Sequence, residues 1–175
     1  MLADIQDVGS GAESEFRAEL DYRALKTSFA DFEAGTPDTE QPRTSRSEFI
    51  AAPLPEAAIR ELIDAFRAGA SGRKELNFTP LGGAYNRVPA DATAFVHRSD
   101  RFVLEHVGVG AEAAAWADRS WEIAHAHASG RVYPNFPDLR LADPAAAYHG
   151  SNHDRLVAAK RHYDPQRFFR FAQSL

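Results

Sequence analysis

SEFIAAPLPEAAIRELIDAFRAG, residues 47–69, contains a short apolar run, a proline pair and then a helical repeat. Phe49-Ile50-Ala51 reads as a strand, and Pro53 and Pro55 open a helix whose first turn tolerates the missing N–H. Ile59, Leu62, Ile63 and Phe66 fall at i, i+3, i+4 and i+7, which predicts one buried stripe. Downstream, Leu76–Leu81, Ala92–His97 and Phe102–Val109 read as strands, with Gly82-Gly83 as a tight turn and Arg98–Asp100 as another. Alanine-rich Glu112–Ala128 reads as a helix stopped by Gly130. Two short helices close the chain, the second capped by Asp164 with Pro165 in its first turn. Strands interleaved with amphipathic helices, on connections short enough for antiparallel pairing, predict an α+β fold with helices packed on one face of an antiparallel sheet.

Upstream the pattern is weaker. Residues 1–42 read as an N-terminal arm with a helix over 15–32, and 43–175 as the folded domain; Gly35–Ser47 reads as a surface loop. A chain of 175 residues, 44% hydrophobic with 12 Phe, can bury a sizeable core. A net charge of −5 without a basic cluster argues against nucleic acid, which requires a concentrated Lys/Arg face. The acidic start is no signal peptide and no run is long enough to span a membrane, so a cytoplasmic protein is expected. The absence of cysteine removes disulfides, thiol catalysis and Cys-based metal sites. His125 and His127, two apart on a helix, do not face each other, so no metal is expected.

The last 43 residues carry an ordered series: Tyr133-x-Asn135-Phe136, Tyr148 to His153, Arg155-Leu156, Lys160, Tyr163-Asp164-Pro165, Phe168-Phe169 and Gln173-Ser174. This series resembles the C-terminal signature of berberine-bridge-enzyme-like FAD-linked oxidases. Arg46 to Ile50, Leu81 to Ala84 and Ala92 to Arg98 are similar to segments of the same family's substrate domain. The resemblance implies an antiparallel sheet whose open face roofs a substrate over the flavin ring. The family's Arg-x-Gly-Gly-Gly-His flavin-linking segment is not in this sequence, and no Gly-rich pyrophosphate loop precedes a helix, so the chain alone is not expected to bind FAD.

The resemblance also assigns candidate residues. Tyr133 and Asn135 fall on the flavin- and substrate-facing segment; Phe136 stands where some relatives carry a proton-abstracting tyrosine. Relatives place a carboxylate or amide near Glu105 and His106. These neighbours point to opposite faces of a strand. Counting from His97-Arg98 favours His106, sharing a face with Phe102 and Leu104; a shift of one residue selects Glu105. Phe95 and Phe136 complete the expected apolar lining, and Arg98 is a candidate for an acidic substrate group. Three functions follow: a cofactor-free enzyme that cyclises, rearranges or isomerises an apolar metabolite; the substrate-domain subunit of an oxidoreductase whose flavin domain is a separate chain; or a small-molecule-binding protein. The expected partners are an apolar small molecule and either a second copy, paired through C-terminal phenylalanines, or a separate flavin-binding chain.

Overall fold

The structure, a computed structural model, describes residues 19–34, 42–69 and 71–175. The chain divides into two units, residues 1–40 and 41–175. In the first, α1 (Tyr22–Ala34) is capped by Asp21, whose side chain accepts from the Ala24 amide at 2.8 Å. The residues 15–18 of the expected helix lie outside the described residues.

The second unit is built on β1 (Arg43–Ile50), β2 (Arg73–Pro80) and β3 (Phe102–Val109), in spatial order β1-β3-β2. β3 runs antiparallel to both neighbours, with Phe102 opposite Ile50 and Pro80, and Val109 opposite Arg43 and Arg73. Helix α2 (Glu56–Arg67) carries the chain from β1 to β2, leaving the slot that β3 fills. A four-residue helix α3 (Ala84–Arg87) follows Gly82-Gly83, and α4 (Ala111–His125) follows β3 directly. Helices α5 (Pro144–His149) and α6 (His153–Tyr163) close the fold, joined by a 3-10 turn at Gly150–Asn152. The architecture is α+β, an antiparallel sheet with α2 and α4 on one face.

The core is the layer between that face and the helices. Ile50, Leu62, Leu104 and Ala124 are buried there, with Leu54, Leu76, Phe102 and Ile123 packed against them. Each fully buried side chain of this size contributes about 1.5–3 kcal/mol. Gly108 lets α4 begin hard against β3: a Cβ there would sit 2.1 Å from the Ala113 carbonyl oxygen. A smaller cluster, Val132, Ala147 and Tyr148 with Leu141, seats α5.

Several expectations are corrected. Arg43–Ser47 is strand, not loop; its polar residues find partners across the sheet, which hydropathy cannot register. Ala92–His97 is not a strand: side chains take its carbonyls, Tyr85 at His97 and Asn152 at Thr93, in place of a ladder. Gly82-Gly83 does precede a helix, though a single turn long. Of the α2 stripe only Leu62 is buried; Ile59, Ile63 and Phe66 are about two-fifths exposed. No helix starts at Asp164, because Arg167 has φ +52° and Asp164 is already engaged by Lys160. Asp143 plays that part instead, accepting from the Ala146 amide at 2.9 Å with Pro144 in the first turn. Among the described residues no helix is long and apolar enough to cross a membrane, and no group of three or more acidic or histidine side chains is arranged to hold a metal ion.

Candidate functional site

Alternation along β3 divides its residues between two environments. Phe102, Leu104 and His106 face the helices; Val103, Glu105 and Val107 face the far side. The expected phase is therefore reversed. His106 is fully buried on the helix face, its Nδ1 2.8 Å from Ser120 Oγ on α4 and its Nε2 2.7 Å from Glu48 Oε1 on β1. Burial, joined by the nearby Arg46 charge, lowers His106 from an ordinary 6.5 to about 3. Burial pushes the Glu48 carboxyl well above its usual value, against the pull of Arg46. The pair thus shares one proton on Glu48, donated to His106 Nε2. Phe102 and Leu104 belong to the core, so neither they nor His106 line the far face.

Glu105 sits on the far face in a ready-made cradle. It accepts from Ser45 Oγ at 2.6 Å, Asn77 Nδ2 at 3.2 Å and Arg43 at 3.3 Å, donors from both flanking strands. Register produces this cluster, because Ser47 and Asn77 are the direct cross-strand neighbours of Glu105.

Beside it lies an aromatic group. Phe49, on β1 and the same face, stacks on His97 with centroids 4.2 Å apart and meets Phe95 and Tyr133 edge-on at 6.1 Å. Phe136 packs edge-on against Tyr133 at 5.0 Å. The two groups adjoin through Ser47, which faces Glu105 across the ladder and accepts the Tyr133 amide at 3.2 Å. Tyr133 accepts from exposed Asn135 at 2.9 Å, which leaves its own O–H free to donate. His97 is fully buried, and burial lowers it to about 4, so it is a neutral ring at physiological pH. Its Nε2 donates to the Tyr148 carbonyl at 2.9 Å; its Nδ1 has no partner.

Arg98 is not available for a substrate carboxylate. Its guanidinium donates to Phe95 O and Thr93 Oγ1 and lies over the Tyr85 and Phe95 rings. Sequence reasoning missed Phe49, His97, Ser45 and Asn77. The signal for them was the odd-numbered phase of β3, visible only once Glu105 rather than His106 is set facing out.

A dinucleotide needs a helix N-terminus with free amides. Helix α4, which follows Gly108-Val109-Gly110, carries the acidic Glu112 in its first turn, fixed there by accepting from the Ser71 amide at 2.8 Å, and its charge would repel a phosphate. Gly108 is filled by close packing against Ala113, and α3 is a single turn. These residues do not form a pyrophosphate cradle.

The α+β layer presents an aromatic and carboxylate-bearing face away from its helices. Residues 132–175 match the family described as berberine and berberine-like. An FAD-linked oxidoreductase of Bacillus subtilis, YvdP, is 35% identical over 109 residues, covering 56% of this chain and 23% of that protein. Berberine bridge enzyme-like 6 of Arabidopsis thaliana is 29% identical over 190 residues, covering 90% and 34%. The structure of berberine-bridge-enzyme-like 28 from Arabidopsis thaliana superposes on 99% of this chain with a TM-score of 0.78 at 23% identity, using 44% of its own length. The chain is thus similar to berberine-bridge-enzyme-like proteins, most specifically through residues 132–175, and spans a quarter to a third of the length of the two curated relatives.

Proposed function

We propose that this chain forms the substrate-binding side of an FAD-linked oxidoreductase, the flavin being held by a different segment, in the same polypeptide or a partner. The observation that carries the reading is the state of the C-terminal aromatics. Phe168, Phe169 and Phe171, inside the family-matching segment, are 82%, 69% and 72% exposed. Leaving three such rings in water forgoes about 1.5–3 kcal/mol each, which favours a second body over them.

The substrate class is a ring compound bearing a hydroxyl. Its ring packs on Phe95, Tyr133 and Phe136, and its hydroxyl donates to Glu105, whose orientation is held by three donors. The Tyr133 hydroxyl donates to a second oxygen. A pre-oriented carboxylate of this kind typically contributes about 10²–10⁴-fold when it takes a proton in the transition state. The cofactor-free cyclase or isomerase remains a second reading, because Glu105 and Tyr133 can also move a proton without a flavin.

The test joins this chain to the flavin-binding part of the Bacillus subtilis relative in place of the segment it matches. The expected protein is yellow, and hydroxylated ring compounds bleach its flavin band. Changing Glu105→Gln in that chimera should slow bleaching about 10²–10⁴-fold. The chain by itself should be colourless and inert. Turnover of any panel compound by the colourless chain would establish the cofactor-free reading. A chimera whose bleaching ignores Glu105 would remove that residue from the site.

A further inference from the structure

Register lays out the far face of the sheet as a grid. Ser47, Glu105 and Asn77 form one row across it, and Phe49, Val103 and Thr79 the next. On the β1 half the polar groups are already engaged: Ser45 Oγ donates to Glu105, and Ser47 Oγ accepts the Tyr133 amide. On the β2 half Asn77 stands directly opposite Glu105 and is exposed.

Two carboxylates decide which way the Asn77 amide is turned. Its nitrogen lies 3.2 Å from Glu105 Oε2 and 3.4 Å from Glu75 Oε2. Glu105 is paired with Arg43 and Glu75 with Arg73, so each offers the amide only lone pairs. An amide oxygen in that place would set its own lone pairs against both, whereas the NH2 group has two protons, one for each. Asn77 Oδ1 therefore points away from the carboxylates, and among the described residues no donor reaches it. Glu105 is filled unevenly. Its Oε1 accepts from Ser45 and Arg43, which takes up both lone pairs, while among the described residues Oε2 accepts only from Asn77. The open lone pair of Glu105 is thus on the oxygen beside the Asn77 amide. Two open acceptors, Glu105 Oε2 and Asn77 Oδ1, stand side by side.

We infer that Asn77 is a specificity-determining residue of the ligand site, whose carbonyl oxygen selects a ring carrying a second hydrogen-bond donor on the atom next to the hydroxyl that Glu105 receives. The class is a ring-borne 1,2-diol or the corresponding amino alcohol, and its selection rests on the Glu105 face being the substrate-binding side proposed above. The first hydroxyl donates to Glu105 Oε2 and the second to Asn77 Oδ1. The ring body lies toward Tyr133, which Ser47 of the same row anchors. An ether oxygen in the second position would turn lone pairs on the lone pairs of Oδ1, and a hydrogen there would leave Oδ1 covered and unmet.

The full chain is titrated without oxygen against catechol, phenol and catechol monomethyl ether, with dissociation constants read from nuclear magnetic resonance shifts. Catechol should bind about 2–10-fold more tightly than the other two, the range that one net hydrogen bond supplies. Two variants separate selection from the support that Asn77 gives Glu105. Asn77→Leu removes both the amide donor and the acceptor; Asn77→Asp removes the amide donor and keeps an acceptor. Because Asn77 is exposed, both should retain the parent circular dichroism spectrum. Asn77→Leu should bring the three probes to equal affinity, and Asn77→Asp should keep the preference for catechol. Equal binding of the three by the parent chain overturns the inference and leaves a ring-binding face in place. A preference that survives Asn77→Leu also overturns it, as does a preference lost in both variants, which would leave Asn77 only the positioning of Glu105. A chain that binds none of the probes overturns the inference together with the proposed substrate-binding face.

Discussion

Glu105 and His106 are adjacent on one strand, and the two faces they serve handle polar side chains in opposite ways. On the helix face, polar groups are enclosed and largely paired with one another, although Glu48 Oε2, Trp116 Nε1 and His125 Nδ1 are left without a hydrogen-bond partner. Arg46 is 2.7 Å from Asp138 and lies 3.5 Å over the Trp121 ring; Glu48, His106 and Ser120 form a closed chain. Asp138 in turn accepts from Arg140, and its carbonyl accepts from Gln173, so this network ties the C-terminal tail to β1. On the far face, Glu105 is held by three donors while the neighbouring Tyr133 hydroxyl keeps a free proton. Polar groups on the helix face tie elements of the fold to one another; on the far face the proposed function gives Glu105 and Tyr133 a ligand to meet.

The comparison breaks most sharply at Arg46. Arg46→Ala leaves the buried Asp138 carboxylate with Arg140 as its remaining cation; burial pushes that carboxyl up, and the Arg140 amide and Arg46 guanidinium outweigh it and hold it below its usual pKa. Removing one partner of a buried pair destabilises by about 3–5 kcal/mol, measurable as a lowered urea midpoint with the slope unchanged. Leu104→Trp comes next. Leu104 is fully buried among Ile50, Leu62 and Ala124, so a larger ring overpacks the core and costs about 1–3 kcal/mol. Ligand binding on the far face should change little; a large loss of binding with unaltered stability would reverse the assignment of faces. Glu105→Gln is milder for the fold, about 0.5–1.5 kcal/mol, because Gln still accepts from Ser45. Its effect should be on substrate turnover.

The smallest effect, a change of slope, concerns pH. Folding moves one proton of the Glu48–His106 pair. Between about pH 4.5 and 6.5, over the range in which the raised Glu48 carboxyl keeps its proton, the unfolded chain carries the proton on His106 and the folded chain on Glu48, so the two states bind equal numbers and the pair adds no slope. Below 4.5 the unfolded Glu48 takes a second proton and stability falls, until His106 itself protonates near 3. Glu48→Gln should replace the plateau with a steady loss from 6.5 downward. Chemical denaturation across pH, variant against parent, reads the difference; identical profiles would mean the pair is not coupled to folding.

The same short motif shows how legible the chain was. Asp-Pro occurs at 143–144 and at 164–165, and both are sound helix starts by capping chemistry. The first begins α5, where Ala147 and Tyr148 find a buried seat; the second begins nothing, since Phe168 and Phe169 find none and Arg167 turns into positive φ. The cap permits a helix, and packing decides whether one forms. Ala92–His97 makes the same point for strands: its composition suits the sheet, but Asn152 and Tyr85 claim its carbonyls from elements distant in sequence or across a turn.

Local pattern in the sequence was enough for the α+β class, for α2 and α4, for β3 and for the family of the C-terminal segment, since periodicity and motif order are properties of the chain itself. The face that Glu105 occupies was not among them. A strand has a side-chain period of two, so an error of one residue exchanges every inward and outward position. Nothing local to β3 distinguishes the two phases: each sets one ionisable residue among apolar ones. The choice was made by Ser120, Glu48, Ser45 and Asn77, which reach His106 and Glu105 from three other elements, and only the tertiary structure brings them there.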